Sequence, residues 1–542
     1  MKLRERNDLN RVKKMFMVAL LAAGMLTGAT GGASAIEFKA KGEWLVGFGV
    51  GDGNLTQNTR SLDGSKSKTN TEDQFGASQR IRLQLDAVAS EALSGTVYFE
   101  IGDQRWGKAD EGGALGADGN NVVEVKNAYI DWLIPQTEAR LRMGLQTTTL
   151  PNVAGGSAVL DADAAAVTAS YKFNETAGLT FMWARPVNDN FSNGYIDVAN
   201  NKSSTEKVNY LDNLDLFMLS VPLTFDGLNV TPWAMYGIRG KNALRGLEDP
   251  VNGSPWETSD GKLGLTLPGL TPGLNYADEN ITPLTNSSTS KQYGSLFWAG
   301  LPVGITMFDP LNIEFDINYG YSEAMGRYDV LKRGEETVRA STGRQGWLAK
   351  ALVEYKMDWA TPGIFGWYAS GDDGNVKNGS ERMPSIAGAG NFTSFIGDGN
   401  LSWSPVANGC DWSMSYAGTW GIGGQLKDMS FLENVTHTFR IAYWGGTNAP
   451  SMVKYMKEAS SWQGGYGGDG PYLTTNDGLL EFNLVNTWQA YENLSVNLEL
   501  GYVANMIDKD TWKKAGYNNG AGNGSFDKQD AWKAQLVFQY SF

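Results

Sequence analysis

The feature that most constrains this chain is a strict two-residue alternation in its last stretch, DAWKAQLVFQYSF (Asp530–Phe542). Trp532, Ala534, Leu536, Phe538, Tyr540 and Phe542 share one parity; Lys533, Gln535, Val537, Gln539 and Ser541 share the other. Successive side chains of a strand point to opposite faces, so one face is apolar and aromatic and the other mostly polar. The 11 residues from Trp532 are about the length a tilted strand needs to cross a bilayer. Aromatic residues stand at both ends of the apolar face, as at the two interfaces of a membrane. An edge strand of a soluble sandwich can alternate in the same way, so the rest of the chain has to decide.

The other end speaks for export. Lys2, Arg4, Arg6, Arg11, Lys13 and Lys14 precede the apolar run Met15–Met25, and a small-residue tract follows to Ala33-Ser34-Ala35. This is the pattern of a secretory signal peptide, residues 1–35, which predicts a mature chain from about Ile36. No other stretch supplies 18 uncharged apolar residues, which argues against a helical membrane protein. Without six basic and two acidic leader residues, 39 basic face 57 acidic residues, a net charge near −18. Nucleic-acid binding needs clustered Lys and Arg, so that partner is excluded. The single cysteine, Cys410, permits neither an intrachain disulfide nor a Cys-based zinc site.

Between these ends the alternation recurs with a regular rhythm. Phe38 to Val50 alternates with Lys39, Lys41 and Glu43 on the second face; Ile81, Leu83 and Leu85 alternate with Arg80, Arg82 and Gln84. In Leu311–Tyr321, Ile313, Phe315, Ile317, Tyr319 and Tyr321 oppose Asn312, Glu314, Asp316 and Asn318. Tight connections (Gln136–Glu138, Asn174–Ala177, Asp226–Gly227, Asp309–Pro310, Trp359–Pro362, Tyr491–Asn493) alternate with long ones. The long ones lie near 51–78, 106–121, 148–164, 187–212, 240–292, 322–344, 371–411, 445–477 and 507–529. Short periplasmic turns and long outer loops define a transmembrane antiparallel up-and-down β-barrel. About 18 strands are predicted over residues 36–542, including Trp412–Gln425 and the weak Gly363–Ser370; 16 is the alternative count. A barrel of that size is too wide for side chains to fill and should hold an aqueous channel.

With the leader, the strands, the loop rhythm and a final strand ending on Phe542, the chain resembles the trimeric general porins of Gram-negative outer membranes. The terminal phenylalanine resembles their membrane-insertion signal. Leu141-Arg-Met-Gly-Leu-Gln146, leading into the loop Thr147–Asp163, looks like the strand before their constriction loop. Gly366-Trp-Tyr-Ala-Ser-Gly-Asp-Asp373 and Asn434-Val-Thr-His-Thr-Phe-Arg-Ile-Ala-Tyr443 look most like the homotrimeric porins of sulfate-reducing bacteria. The resemblance implies a homotrimer among lipid and lipopolysaccharide in the bacterial outer membrane, passing small hydrophilic solutes and ions by diffusion, with no cofactor.

Parity turns Arg80, Arg82, Arg140 and Arg142 toward the lumen. Lipid-facing arginine would cost roughly 2–4 kcal/mol at mid-bilayer, which favours the same assignment. By the resemblance, these four form the basic wall of a constriction, and Asp161 and Asp163, on an inward loop, form part of its acidic face. Opposed charge rows set a transverse field across a narrow channel. Glu100 and Lys126 are further lumen candidates, although the strand carrying Lys126 reads in two registers. Acidic glycine tracts (Gly51–Asn54, Asp372–Asn375, Gly397–Asn400) have oxygen ligands that suit loop-bound Ca²⁺, but turn chemistry also explains them. The lone histidine, His437, shares parity with Phe439, Ile441 and Tyr443, so a catalytic triad or a two-histidine metal site finds no support. The expected function is a general diffusion porin. The alternatives are a substrate-selective porin for anionic solutes or sugars, and a non-channel exported β-protein.

Overall fold

The computed structural model describes residues 36–58, 74–107, 117–119, 123–188, 196–197, 202–203, 213–240, 268–275, 293–333, 336–388, 390, 392–397, 401, 403–406, 412, 416–456, 472–514 and 526–542. The proposed leader, residues 1–35, lies outside them.

Eighteen antiparallel strands close into a ring. They are β1 (Glu37–Asp52), β2 (Gln74–Ser90), β3 (Leu93–Trp106), β4 (Val123–Leu133), β5 (Ala139–Thr149) and β6 (Asp161–Lys172). Next come β7 (Gly178–Asn188), β8 (Asn213–Ser220, resuming as Leu223–Phe225), β9 (Leu228–Val230, resuming as Trp233–Gly240), β10 (Tyr293–Phe308), β11 (Leu311–Ser322) and β12 (Arg344–Tyr355). The ring finishes with β13 (Thr361–Ala369), β14 (Thr419–Leu432), β15 (Val435–Gly446), β16 (Gly478–Tyr491), β17 (Leu494–Asn505) and β18 (Ala531–Ser541). Pro222 and Pro232 fall in the two interruptions, where a missing N–H cannot serve the ladder.

The last strand completes the ring. β18 pairs with β17 on one side and with β1 on the other, Trp44 opposite Tyr540 and Gly51 opposite Lys533. Phe542 exchanges backbone bonds with Gly42 in both directions, at 2.7 and 3.0 Å. Closure leaves no open edge, which is what a sheet needs in order to sit in lipid. The outer face carries exposed aromatic and aliphatic residues, among them Trp132, Phe315, Ile317, Tyr319, Trp347, Ile422 and Tyr502.

Two strand assignments differ from the sequence pattern. β14 begins at Thr419 and runs to Leu432, not Trp412–Gln425. Trp412 and Tyr416 belong to the preceding loop, which borrows aromatic residues because it too is buried. Gly363–Ser370, weak by pattern, is a full wall strand: Phe365 and Trp367 face inward and are buried, so its apolar residues lie on both faces.

The molecule keeps its largest apolar core inside the ring. Met182, Leu216, Met218, Trp233, Met235, Leu296 and Trp298 line β7 to β10 and pack with Leu150, Ala154, Val159, Leu160, Ile386 and Phe392 from two loops. In that sector the barrel is filled by its own chain.

Candidate functional site: a lumen crossed by two loops

The first inward loop, residues 150–160, joins β5 to β6 at the outer end and reaches β11 and β12, six strands round the ring. Its tip is gripped at both backbone polarities. Asp316 on β11 accepts the N–H groups of Val153 (3.0 Å) and Ala154 (2.6 Å). Lys350, opposite Asp316 on β12, donates to the carbonyls of Gly155 (3.2 Å) and Gly156. Both charged residues are 1% exposed. Buried charges are tolerable when each is offset and hydrogen-bonded, and here the loop backbone supplies the bonds. Gly155 has φ +58° with the Phe392 ring against it; a Cβ there would lie 2.6 Å from the ring, so glycine is required.

The second inward loop, residues 370–418, starts from β13 and runs the other way. Where the two loops meet, Ile386 and Ala387 donate to Val159 O (2.9 and 3.1 Å), and Asp161 N donates to Ala387 O (2.6 Å). Further along, the loop meets β16 to β18. Glu481 accepts from Phe395 N (2.9 Å) and Ile396 N (3.3 Å), Asn483 accepts from Ser394 N (3.0 Å), and Lys533 donates to Ser394 O (3.0 Å). Lys533 also pairs with Glu499 at 3.0 Å, fully buried. The segment 403–406 then lies on β1, β2 and β3. Trp403 donates its indole N–H to Asp103 (2.7 Å), and Ser404 donates to Gln535 (2.9 Å). Gly47, Gly49 and Gly76 form the seat: a Cβ on any of them would lie within 2.0–2.7 Å of Trp403, Pro405 or Val406.

The wall of β2 to β5 carries the arginines singled out by parity. Arg82 pairs with Glu100, directly opposite on β3, at 2.7 Å. Arg140 grips Asp131 side-on, Nε to Oδ1 at 2.5 Å and Nη2 to Oδ2 at 2.7 Å. Arg142 converges on Asp131 as well (Nη2 to Oδ2 2.6 Å), its guanidinium 4.5 Å from the Tyr129 ring centroid. Arg80 stands apart: it is 5% exposed and lies against Trp403. Asp131 did not stand out by sequence; its parity with Tyr129, against Ile130 and Trp132, was the available signal.

Asp161 and Asp163 are corrected. They stand on β6 rather than in the loop, because the strand starts at Asp161. Their cross-strand partners are Thr149 and Thr147, on the parity of Leu141, Met143 and Leu145, so alternation turns them to the outer side of the wall. Asp163 is bonded there to Lys126, Asn127 (2.9 Å) and Thr147 (2.7 Å). The two registers around Lys126 have a cause: Tyr98 pairs with Asn127 but Phe99 pairs with Val125, so Lys126 is the extra residue of a bulge. Inner-face acidic residues also stand on β11 and β12, nearly half-way round the ring. Glu354 pairs with Lys427 (2.6 Å) and accepts from Gln425 (2.7 Å), while Glu314 accepts from Asn312 (3.0 Å).

His437 bonds Asn486 and stacks with Phe431 on the outer face. Among the described residues no three His, Cys, Asp or Glu side chains are grouped as a metal site. Asp52 and Asp373 accept N–H groups of their own turns, from Asn54 and Asn375. Asp398 and Asn400 lie outside the described residues.

No protein-family description and no curated protein matches the chain. Among solved structures it is similar to OpdL of Pseudomonas aeruginosa, with 10% identity, TM-score 0.45 and coverage of 93% of this chain and 99% of that one. It is similar to OccK8 (OprE) of Pseudomonas aeruginosa, with 9% identity, TM-score 0.46 and coverage of 94% and 99%. It is also similar to OccAB4 of Acinetobacter baumannii, with 8% identity, TM-score 0.45 and coverage of 94% and 98%. The narrower resemblance to homotrimeric porins of sulfate-reducing bacteria has no counterpart among these three. The closed ring with its apolar outer band is itself decisive for class. This is a barrel of the bacterial outer membrane.

Proposed function

We propose that the chain is a passive outer-membrane porin of the substrate-selective kind, taking small organic anions. The observation that carries the reading is the pair of inward loops joined across the lumen, 150–160 with 386–387. A general diffusion porin, the expectation from sequence, needs a wide lumen. Here two outer loops and their apolar core fill much of the lumen, and solutes are left the polar sector beside Arg140 and Arg142 on β5.

The sign of the preference rests on which charges solutes can touch. Arg140 and Arg142 have side-chain exposures of 57% and 35%, while the Asp131 they share is 7% exposed. On the far wall Lys427 is 30% exposed and its partner Glu354 8%. In both places the carboxylate lies behind the cation, so the reachable surface is positive although the chain is acidic overall. A field of that sign in a low-dielectric channel concentrates anions and orients them. No chemical step and no conformational cycle is involved.

The test is single-channel conductance in planar bilayers with reversal potential under a salt gradient, together with liposome swelling in solutes of graded size and charge. Small steps, anion preference and a sharp size limit are expected. Large steps indifferent to charge and size would return the general diffusion porin.

A further inference from the structure

The seam between β18 and β1 leaves no open edge within the bilayer, but β1 runs on beyond it. Pairing with β18 covers Glu43–Asp52, whereas pairing with β2 continues to Glu37, opposite Val88. Gly42 exchanges both of its backbone bonds with Phe542. In an antiparallel strand a residue gives its N–H and C=O to one neighbour, and the next residue gives them to the other. Gly42 faces the β18 side, so Ala40 and Phe38 face that side too, where no described residue pairs with them. Glu37, Lys39 and Lys41 belong to the ladder with β2. The N–H and C=O groups of Phe38 and Ala40 therefore project from an open edge at the periplasmic end, and every residue from Glu37 to Lys41 is exposed.

An open edge is a template for another strand, and lysines are a common means of blunting one. Here they also define what fits. Glu37, Lys39 and Lys41 share the inner parity of Leu45 and Gly47, while Phe38 and Ala40 share the outer parity of Trp44. Lys39 pairs with Glu37 at 3.4 Å, both side chains being largely exposed. Lys41 stands opposite the neutral Gln84 and has no ion pair among the described residues. The nearby acids are committed, Asp86 to Thr96 and Gln84, Glu43 to Gln539.

We propose that Glu37–Lys41 docks an extended segment of a periplasmic protein by strand addition, a segment in which acidic and apolar residues alternate. Backbone bonds to Ala40 and Phe38 supply the pairing, and the alternate side chains supply the choice. Running antiparallel to β1, the segment sets its residues in turn opposite Lys41, Ala40, Lys39, Phe38 and Glu37. Opposite charges attract across a strand pair and like charges repel, so the preferred order is acidic, apolar, acidic, apolar, basic. The proposal needs the barrel and its orientation and is independent of what the channel passes.

The probe is the capped peptide acetyl-Glu-Val-Glu-Val-Lys-amide, added to the folded protein in lipid nanodiscs. The readout is amide hydrogen exchange resolved to single residues. At millimolar peptide, exchange should slow about threefold or more at Phe38 and Ala40. It should stay unchanged at Lys39 and Lys41, whose N–H groups already serve β2. Acetyl-Lys-Val-Lys-Val-Glu-amide should protect less, and acetyl-Glu-Pro-Glu-Pro-Lys-amide, which lacks the donors, should not protect. Lys39→Glu with Lys41→Glu, both on the exposed overhang, should reverse the preference between the two valine peptides. No protection by any peptide overturns the proposal and leaves the lysines as blunting charges alone. Equal slowing from Phe38 to Lys41, or an equal effect of all three peptides, overturns it as well.

Discussion

The two inward loops rest on the wall by different means. The seat of 150–160 is ionic: Asp316 and Lys350 grip opposite polarities of one loop tip, and both are dry. The seat of 403–406 is a matter of shape: three glycines make room and side chains supply the hydrogen bonds. Buried charge holds a backbone in one place, because release strands an ion in an apolar surround. A seat of glycines holds by contact, and contact is lost gradually. The comparison teaches that the first loop is a fixed partition, while the second carries a fixed portion, 394–396 on Glu481, and a looser one.

The comparison breaks most visibly at Lys350. Lys350→Met should leave the carbonyls of Gly155 and Gly156 without their donor; losing a buried hydrogen bond from a charged group costs about 1.5–3 kcal/mol locally. Single-channel conductance should rise by about twofold or more as the partition leaves the lumen; unchanged conductance would mean the apolar core alone holds the loop. Next in size is Gly49→Val, which drives a side chain into Val406. Overpacking of this kind costs about 1–3 kcal/mol, and hydrogen exchange should rise at 403–406 but not at 394–396. Equal exchange in both portions would show one rigid loop.

Arg140→Gln with Arg142→Gln leaves both seats intact and uncovers Asp131. The reversal potential should move toward cations, with the anion-over-cation ratio falling about two- to fivefold. No shift would remove these arginines from the selectivity surface. The smallest effect is expected with pH, at the outer part of the second loop. Burial pushes the Glu381 carboxyl up, with Asp372 and Asp373 adding like charge against the N–H it accepts from Asp373. The folded loop therefore holds this proton more tightly than the unfolded chain does. The resulting stability is full below the ordinary glutamate range and is lost as pH rises through the raised value. Exchange protection at 372–382 should fall over that interval, and Glu381→Gln should flatten the profile.

Much of the ring was legible because it obeys a local rule. Parity alone placed Arg80, Arg82, Lys533 and Gln535 on the inner face, and turn residues separated the strands. The rule fails where inside and outside are both apolar, as at Phe365 and Trp367, and where a bulge changes phase, as at Lys126. It also placed Asp161 in a loop when the strand had already begun. The seats were illegible for another reason. Asp316 and Lys350 are ordinary inner-face polar residues by pattern, and their partners lie at 153–156, joined to them by no periodicity. Trp403, in a glycine- and serine-rich tract, gives no sign of its position over Arg80.

The seat for 403–406 has one further property. It is assembled from β1 (Gly47, Gly49), β2 (Gly76) and β18 (Gln535), so it straddles the line where the first and last strands of the chain meet. The glycines and the Trp403 acceptor Asp103 lie on consecutive strands at the start of the chain, whereas the Ser404 acceptor Gln535 arrives only with the last strand. During insertion, then, Ser404 has no partner while the ends remain apart. The final bond of this segment and the closing of the ring are one event.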